Sequence, residues 1–152
     1  AINTLHKITL GTEQIQSARM IARYPDTAYF AHGNYGLQYN LTLPLYNPTS
    51  QVQTVTVTFS SPLKDSEPAD RLLFLKRPDR IMFRGTIRVL YQENRDRWKT
   101  EFWHLAQQRG QEGQPLVTLR IPPAESRSVN VVLFYPADCT PPHVLTVQTL
   151  DG

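Results

Sequence analysis

An all-β chain, folded as an immunoglobulin-like antiparallel β-sandwich of about seven strands, is what this sequence predicts, and three observations predict it. Apolar and polar residues alternate with a period of two in one segment after another, the pattern of strands with one buried and one wet face. Clusters of Pro, Gly, Asn and Ser separate those segments at intervals suited to short strands. No stretch repeats its apolar residues at the three- and four-residue spacing of an amphipathic helix. With 152 residues, 40% of them apolar, the chain makes one domain. A domain of that size buries roughly two-thirds of its unfolded surface and needs no metal or disulfide to hold a core.

The clearest alternation comes first. Tyr35, Leu37, Tyr39, Leu41, Leu43 and Leu45 share one face, and Gly36, Gln38, Asn40, Thr42 and Pro44 share the other. Pro44 cannot donate to a ladder, which places this strand at an edge or a bulge. Asn47-Pro48-Thr49-Ser50 is a turn signal, and the strand after it, Gln51 to Ser60, turns Val55, Val57 and Phe59 inward. The two runs together read as a hairpin.

Ser61 to Arg80 is proline-rich and charged, with only Leu72-Leu73-Phe74-Leu75 apolar. It reads as a long connection with a short apolar anchor, crossing between sheets. Alternation resumes with Ile81, Phe83, Ile87, Val89 and Tyr91 on one face and Arg84, Thr86 and Arg88 on the other. After the polar turn Gln92 to Arg97, a return strand spans Trp98 to Gln107. Its two faces, Trp98, Phe102 and His104 against Trp103 and Leu105, are both partly apolar, so it is either buried on both sides or carries an exposed aromatic.

The loop Gln108 to Pro115 holds two glycines, Leu116 to Ile121 alternates, and Pro122 to Ser126 turns the chain. Arg127 to Tyr135 then alternates through Val129, Val131, Leu133 and Tyr135, and a last strand runs from Val144 to Leu150. At the other end, Ile2 to Leu10 reads as one more strand and Gly11 to Ala22 as a short helix or an extended wrap. Residues 1–34 are therefore assigned to an N-terminal strand and wrapping segment, packed on a sandwich core of residues 35–152.

The net charge of +3 is unevenly spread. Arg71 to Arg109 holds ten basic residues against four acids, a block of +6, and the six basic and nine acidic residues elsewhere sum to −3. Nucleic acid is one partner for such a block. A solvated strand face plus loop explains it more simply and is preferred, with no nucleic acid expected. No run approaches the ~20 apolar residues of a membrane span, and no apolar segment of signal-peptide type follows the first charged residue.

Catalytic patterns are missing: no Gly-x-Ser-x-Gly elbow, no phosphate loop, no His-Glu-x-x-His and no Cys-x-x-Cys occurs. His6, His32, His104 and His143 are scattered singly, which assigns no metal. Cys139, the one cysteine, has no adjacent base and reads as an exposed thiol or a small buried one. Asp65, Glu67 and Asp70 offer oxygens to a calcium ion, but their segment lacks glycine and is flanked by Lys64 and Arg71, so a solvated loop is preferred. The glycosylation pattern Asn40-Leu41-Thr42 lies inside a strand, where a glycan fits only on an open outer face. The segment Arg23 to Gly36 interleaves Tyr24, Tyr29, Phe30 and Tyr35 with Arg23, Asp26, His32 and Asn34. It suits either a packed loop at one end of the sandwich or a surface for a sugar or protein.

Several separated motifs resemble a known family. They are Gln14-Ile15-Gln16-Ser17-Ala18, Arg23-Tyr24-Pro25-Asp26-Thr27-Ala28-Tyr29, Ala31-His32-Gly33-Asn34-Tyr35-Gly36, Phe83-Arg84-Gly85-Thr86, Gln107-Gln108-Arg109-Gly110 and Tyr135-Pro136-Ala137-Asp138. In order and over nearly the whole chain, they resemble the C-terminal region of a family of uncharacterised cyanobacterial exported proteins carrying a domain of unknown function. The resemblance implies a fragment of a longer chain, an export signal at the start of that chain, and a periplasmic, extracellular or cell-surface location. It brings no catalytic residues, and none is carried over.

Three function classes follow. The first and preferred is a non-catalytic structural or adhesive interaction module of an envelope or cell-surface protein, linked to surface appendages or matrix. It would dock through a sheet edge or the basic face at Arg84 and Arg88 onto another envelope protein or an acidic polysaccharide. The second is a carbohydrate-binding module using Tyr24, Tyr29, Tyr35, Trp98 or Trp103, which requires exposed rings. The third is part of an enzyme whose site a missing N-terminal region completes, for which a cleft joining Arg23, Asp26 and His32 is required. No enzyme activity and no cofactor are expected. The candidate binding residues are Arg84, Arg88, Tyr24, Tyr29, His32 and Tyr35.

Overall fold

A computed structural model describes residues 17–19, 25–26, 30–32, 38–63, 71–136 and 139–150. Two three-residue strands, β1 (Ser17–Arg19) and β2 (Phe30–His32), pair antiparallel with Ser17 opposite His32. The expected strand over Ile2 to Leu10 lies outside the described residues.

The remaining strands are β3 (Gln38–Tyr46), β4 (Gln53–Ser60), β5 (Ile81–Asn94), β6 (Arg97–Gln108), β7 (Pro115–Ile121), β8 (Ser126–Phe134) and β9 (Val144–Leu150). They build two antiparallel sheets, one of four strands in the order β3-β8-β5-β6 and one of three in the order β7-β4-β9. The chain is thus an all-β sandwich. Lettered A to G, the strands keep the B–E and C–F pairings of an immunoglobulin domain. The terminal strands are exchanged, since β3 lies beside β8 where the last strand would be, and β9 lies beside β4 where the first would be.

The alternation predicted from sequence builds the core. Val57, Ile87, Val89, Val129 and Val131 are fully enclosed, and Phe59, Phe83, Leu116, Leu119, Ile121, Leu133 and Tyr135 complete the layer between the sheets. Each such side chain contributes roughly 1.5–3 kcal/mol by leaving water. Cys139 is buried inside this layer. Pro44 lies on β3, an edge strand, where a residue without an N–H can be tolerated.

Two sequence expectations are corrected. β3 and β4 do not form a hairpin: they belong to different sheets, and the turn between them is an arch over the end of the sandwich. The reason is Asn47, buried at the start of that turn. Its Oδ1 accepts from Thr49 N (3.0 Å) and Thr49 Oγ1 (2.7 Å), while Nδ2 donates to Gln51 O (2.7 Å) and Ile121 O (2.8 Å). Its backbone pairs with the second arch, which joins β7 to β8, through Asn47 N to Glu125 O (3.0 Å) and Ala124 N to Asn47 O (2.9 Å). The two crossings are therefore one hydrogen-bonded unit. The other correction is Ile81, which is exposed because the pairing of β5 with β6 slips between Ile81 and Phe83 and Met82 turns inward instead.

The long connection crosses from the three-stranded to the four-stranded sheet, as expected, and its apolar anchor is held by backbone bonds. Leu63 N donates to Leu73 O (2.9 Å) and Leu75 N to Gly110 O (2.8 Å). Gly110 sits at φ 69, where a Cβ would stand 2.5 Å from Leu75 Cγ, and at Gly113 a Cβ would stand 1.8 Å from the Phe59 carbonyl oxygen. Both glycines of this loop are thus fixed by close approach.

Candidate functional site

The outer face of the four-stranded sheet carries side chains that the core does not use. Cross-strand register defines its rungs. Phe102, Arg88, Val132 and Asn40 share one, and Thr100, Leu90, Asn130 and Thr42 share the next. On the other side of Arg88, His104 faces Thr86 and Phe134 faces Gln38, and beyond them Ala106 faces Arg84. The rings stand in solvent: Phe102 is 62% exposed, Phe134 60%, Tyr46 61% and Trp98 51%.

Polar side chains between the rings are already ordered. Asn130 Nδ2 donates to Asn40 Oδ1 (2.7 Å) and Thr42 Oγ1 (3.1 Å), and Arg88 Nη2 donates to Asn130 Oδ1 (3.4 Å). Thr86 Oγ1 and His104 Nδ1 share a hydrogen bond of 2.8 Å. The arrangement presents amides, hydroxyls and guanidinium groups at fixed positions between apolar rings.

Six members of the basic block, Arg71, Lys76, Arg77, Arg80, Arg84 and Arg88, make no ion pair among the described residues, and of these Arg84 and Arg88 stand on the sheet. Arg95 pairs with Glu125 (2.9 Å), Arg97 and Lys99 with Glu93, and Arg109 with Asp79 (3.0 Å). These contacts are reflected in the acids. A backbone bond from Arg80 holds Asp79 below its usual range, the Lys99 hydrogen bond lowers Glu93, and the Arg127 hydrogen bond lowers Glu125. Arg84 and Arg88 make no ion pair among the described residues, and no outward position of the four strands from Arg84 to Gln92 and their rung partners is Asp or Glu. The face is positive and open.

A second polar constellation is buried. Ser61 Oγ and His143 Nδ1 share a hydrogen bond of 2.8 Å inside the core, and the imidazole lies among the rings of Phe59 (5.5 Å), Phe83 (5.5 Å) and Tyr135 (5.6 Å). His143 Nε2 has no hydrogen-bond partner among the described residues. Burial pushes the His143 pKa down to about 4, against an opposing pull from the Met82 backbone. A serine and a histidine in contact are the elements of a nucleophile and its base. Ser61, however, is wholly enclosed, and its hydroxyl has no route to a substrate; the pair clamps the end of β4 to the segment before β9. A furrow of ≈ 320 Å³ runs beside it, lined by Tyr39, Leu41, Phe59, Leu133, His143 and Leu145 among others. It is apolar apart from the imidazole and the Tyr39 hydroxyl, whose pKa burial raises.

Of the candidate residues read from sequence, Arg84 and Arg88 lie on the outer face of β5, and His32 lies in β2 opposite Ser17. Tyr24, Tyr29 and Tyr35 lie outside the described residues, as do Arg23 and the acids Asp65, Glu67 and Asp70. Trp98 is exposed on the same face as the arginines, whereas Trp103 turns inward and is half-buried, so it offers no platform. Sequence reasoning missed Phe134, although inward Leu133 and Tyr135 leave it outward by alternation. It also missed the Ser61–His143 pair, whose members are 82 residues apart.

A family model described as a protein of unknown function, DUF3370, matches residues 1–149. Among curated proteins and among solved structures, none matches the chain.

Proposed function

The chain belongs to the DUF3370 family, and we propose that it is a non-catalytic interaction module, structural or adhesive, that docks an anionic partner on the outer face of its four-stranded sheet. One observation carries the reading: Arg84 and Arg88 stand on an open sheet face that holds exposed rings and no carboxylate to neutralise them. Uncompensated guanidinium groups on a rigid strand are oriented for carboxylate or sulfate groups of a partner, and their separation, about 13 Å for four residues of extended chain, spans more than one charge of a polymer. The resemblance to cyanobacterial exported proteins favours an envelope or cell-surface setting for this module, in which acidic polymers would be at hand.

The test is retention on immobilised polyuronate and polyglutamate at rising salt. The wild-type chain is retained on at least one of them and released by salt, since exposed charge contacts are screened. The Arg84→Glu/Arg88→Glu variant loses retention, and Lys76→Glu/Arg77→Glu, an equal charge change in the exposed connection, keeps most of it. Equal loss in both variants would reduce the effect to net charge and refute the proposed face.

A further inference from the structure

We infer that the partner is an acidic polysaccharide, its sugar rings stacked on Phe102 and Phe134 and its acidic groups bound by Arg84 and Arg88. The inference rests on the docking face proposed above and adds the chemistry of what lies on it. Phe102 and Phe134 are two strands and one rung apart, about 12 Å between their backbones at ordinary strand and rung spacing. That distance suits a run of linked sugars laid obliquely across β6, β5 and β8, with Arg88 and Thr86 between the two rings.

Three features favour a glycan over an acidic protein. The exposed rings are flat, rigid and surrounded by solvent rather than gathered into one apolar patch, so each offers a separate stacking surface for the C–H face of a sugar. The polar side chains among them are amides and hydroxyls, which both donate and accept, as sugar hydroxyls do. The Asn40–Asn130–Thr42 cluster is hydrogen-bonded before any ligand arrives, which lowers the ordering cost of binding.

The experiment is affinity electrophoresis and calorimetric titration of the whole chain with three named probes: polygalacturonate, polyglutamate of similar charge density, and neutral dextran. Polygalacturonate is expected to bind at least tenfold more tightly than polyglutamate, and dextran weakly. Phe102→Ala and Phe134→Ala each weaken polygalacturonate binding about tenfold while leaving polyglutamate binding unchanged, and circular dichroism confirms the fold of these exposed-face variants. Equal binding of the two acidic polymers, with no effect of either Phe variant, would overturn the glycan inference and leave the docking face standing. Failure of both polymers to bind would overturn the docking face itself, and the glycan with it.

Discussion

Acid sensitivity of the fold follows from one residue. His143 is enclosed by Phe59, Phe83 and Tyr135, and burial holds its pKa at about 4 against an ordinary value of 6.5. The folded chain therefore keeps the ring neutral across a range in which the unfolded chain protonates it. Stability from this source is complete above pH 6.5, declines as pH falls towards 4, and levels off below that, where both states carry the proton. The gap corresponds to about 3 kcal/mol, a large share of the roughly 5–15 kcal/mol of a typical domain. Urea unfolding at half-unit intervals from pH 7.5 to 4 measures it, with the m value checked for constancy. His143→Phe combined with Ser61→Ala replaces both hydrogen-bonding partners by apolar groups, a change that is near neutral at pH 7 and removes the slope. The surface acids Asp79, Glu93 and Glu125 have lowered values, so their losses fall at more acid pH and persist in the variant. Equal pH slopes in the wild type and the double variant between pH 6.5 and 4.5 would refute the reasoning.

Three further outcomes are expected. Asn47→Ala removes the side-chain donor to the Ile121 and Gln51 carbonyls, while Thr49 Oγ1 still donates to Gln51 O and the backbone bonds between the arches remain, which lowers stability by about 1–3 kcal/mol in urea unfolding at pH 7. Gly113→Ala drives a methyl group into the Phe59 carbonyl and costs more than about 3 kcal/mol, seen as a fall in melting temperature or loss of soluble chain. Ala124→Gly relieves a positive φ of 53 in the second arch and raises stability by about 0.5–1 kcal/mol, where a decrease would show that the turn does not hold that conformation.

The strands were legible because a half-buried strand writes its own pattern: Val129, Val131 and Leu133 alternate inward whatever their partners are. Pairing was less legible, because a partner is set by distant chain. β3 pairs with β8, with Leu41 opposite Val131, and nothing near Asn47 in sequence distinguishes an arch from a hairpin until Ile121 O is brought to its amide. Arg84 and Arg88 were legible as an outer face, since their neighbours Phe83, Ile87 and Val89 claim the inside. Which face of β6 is wet was not, because Trp98 and Phe102 on one side and Trp103 and Leu105 on the other are equally apolar; only the position of β6 at a sheet edge with its inner face on the core decides it. The Ser61–His143 clamp depends on two residues from different connections and has no local signature.

The account stands or falls on where an acidic polymer touches the sheet. Backbone-amide chemical shifts followed during titration with short polygalacturonate chains report this directly. The predicted result is a contiguous set of perturbed amides on β5, β6 and β8 around Arg88, Phe102 and Val132, fading as salt is added. Perturbations gathered on β4, β7 and β9, or spread evenly over all exposed basic residues, would contradict it.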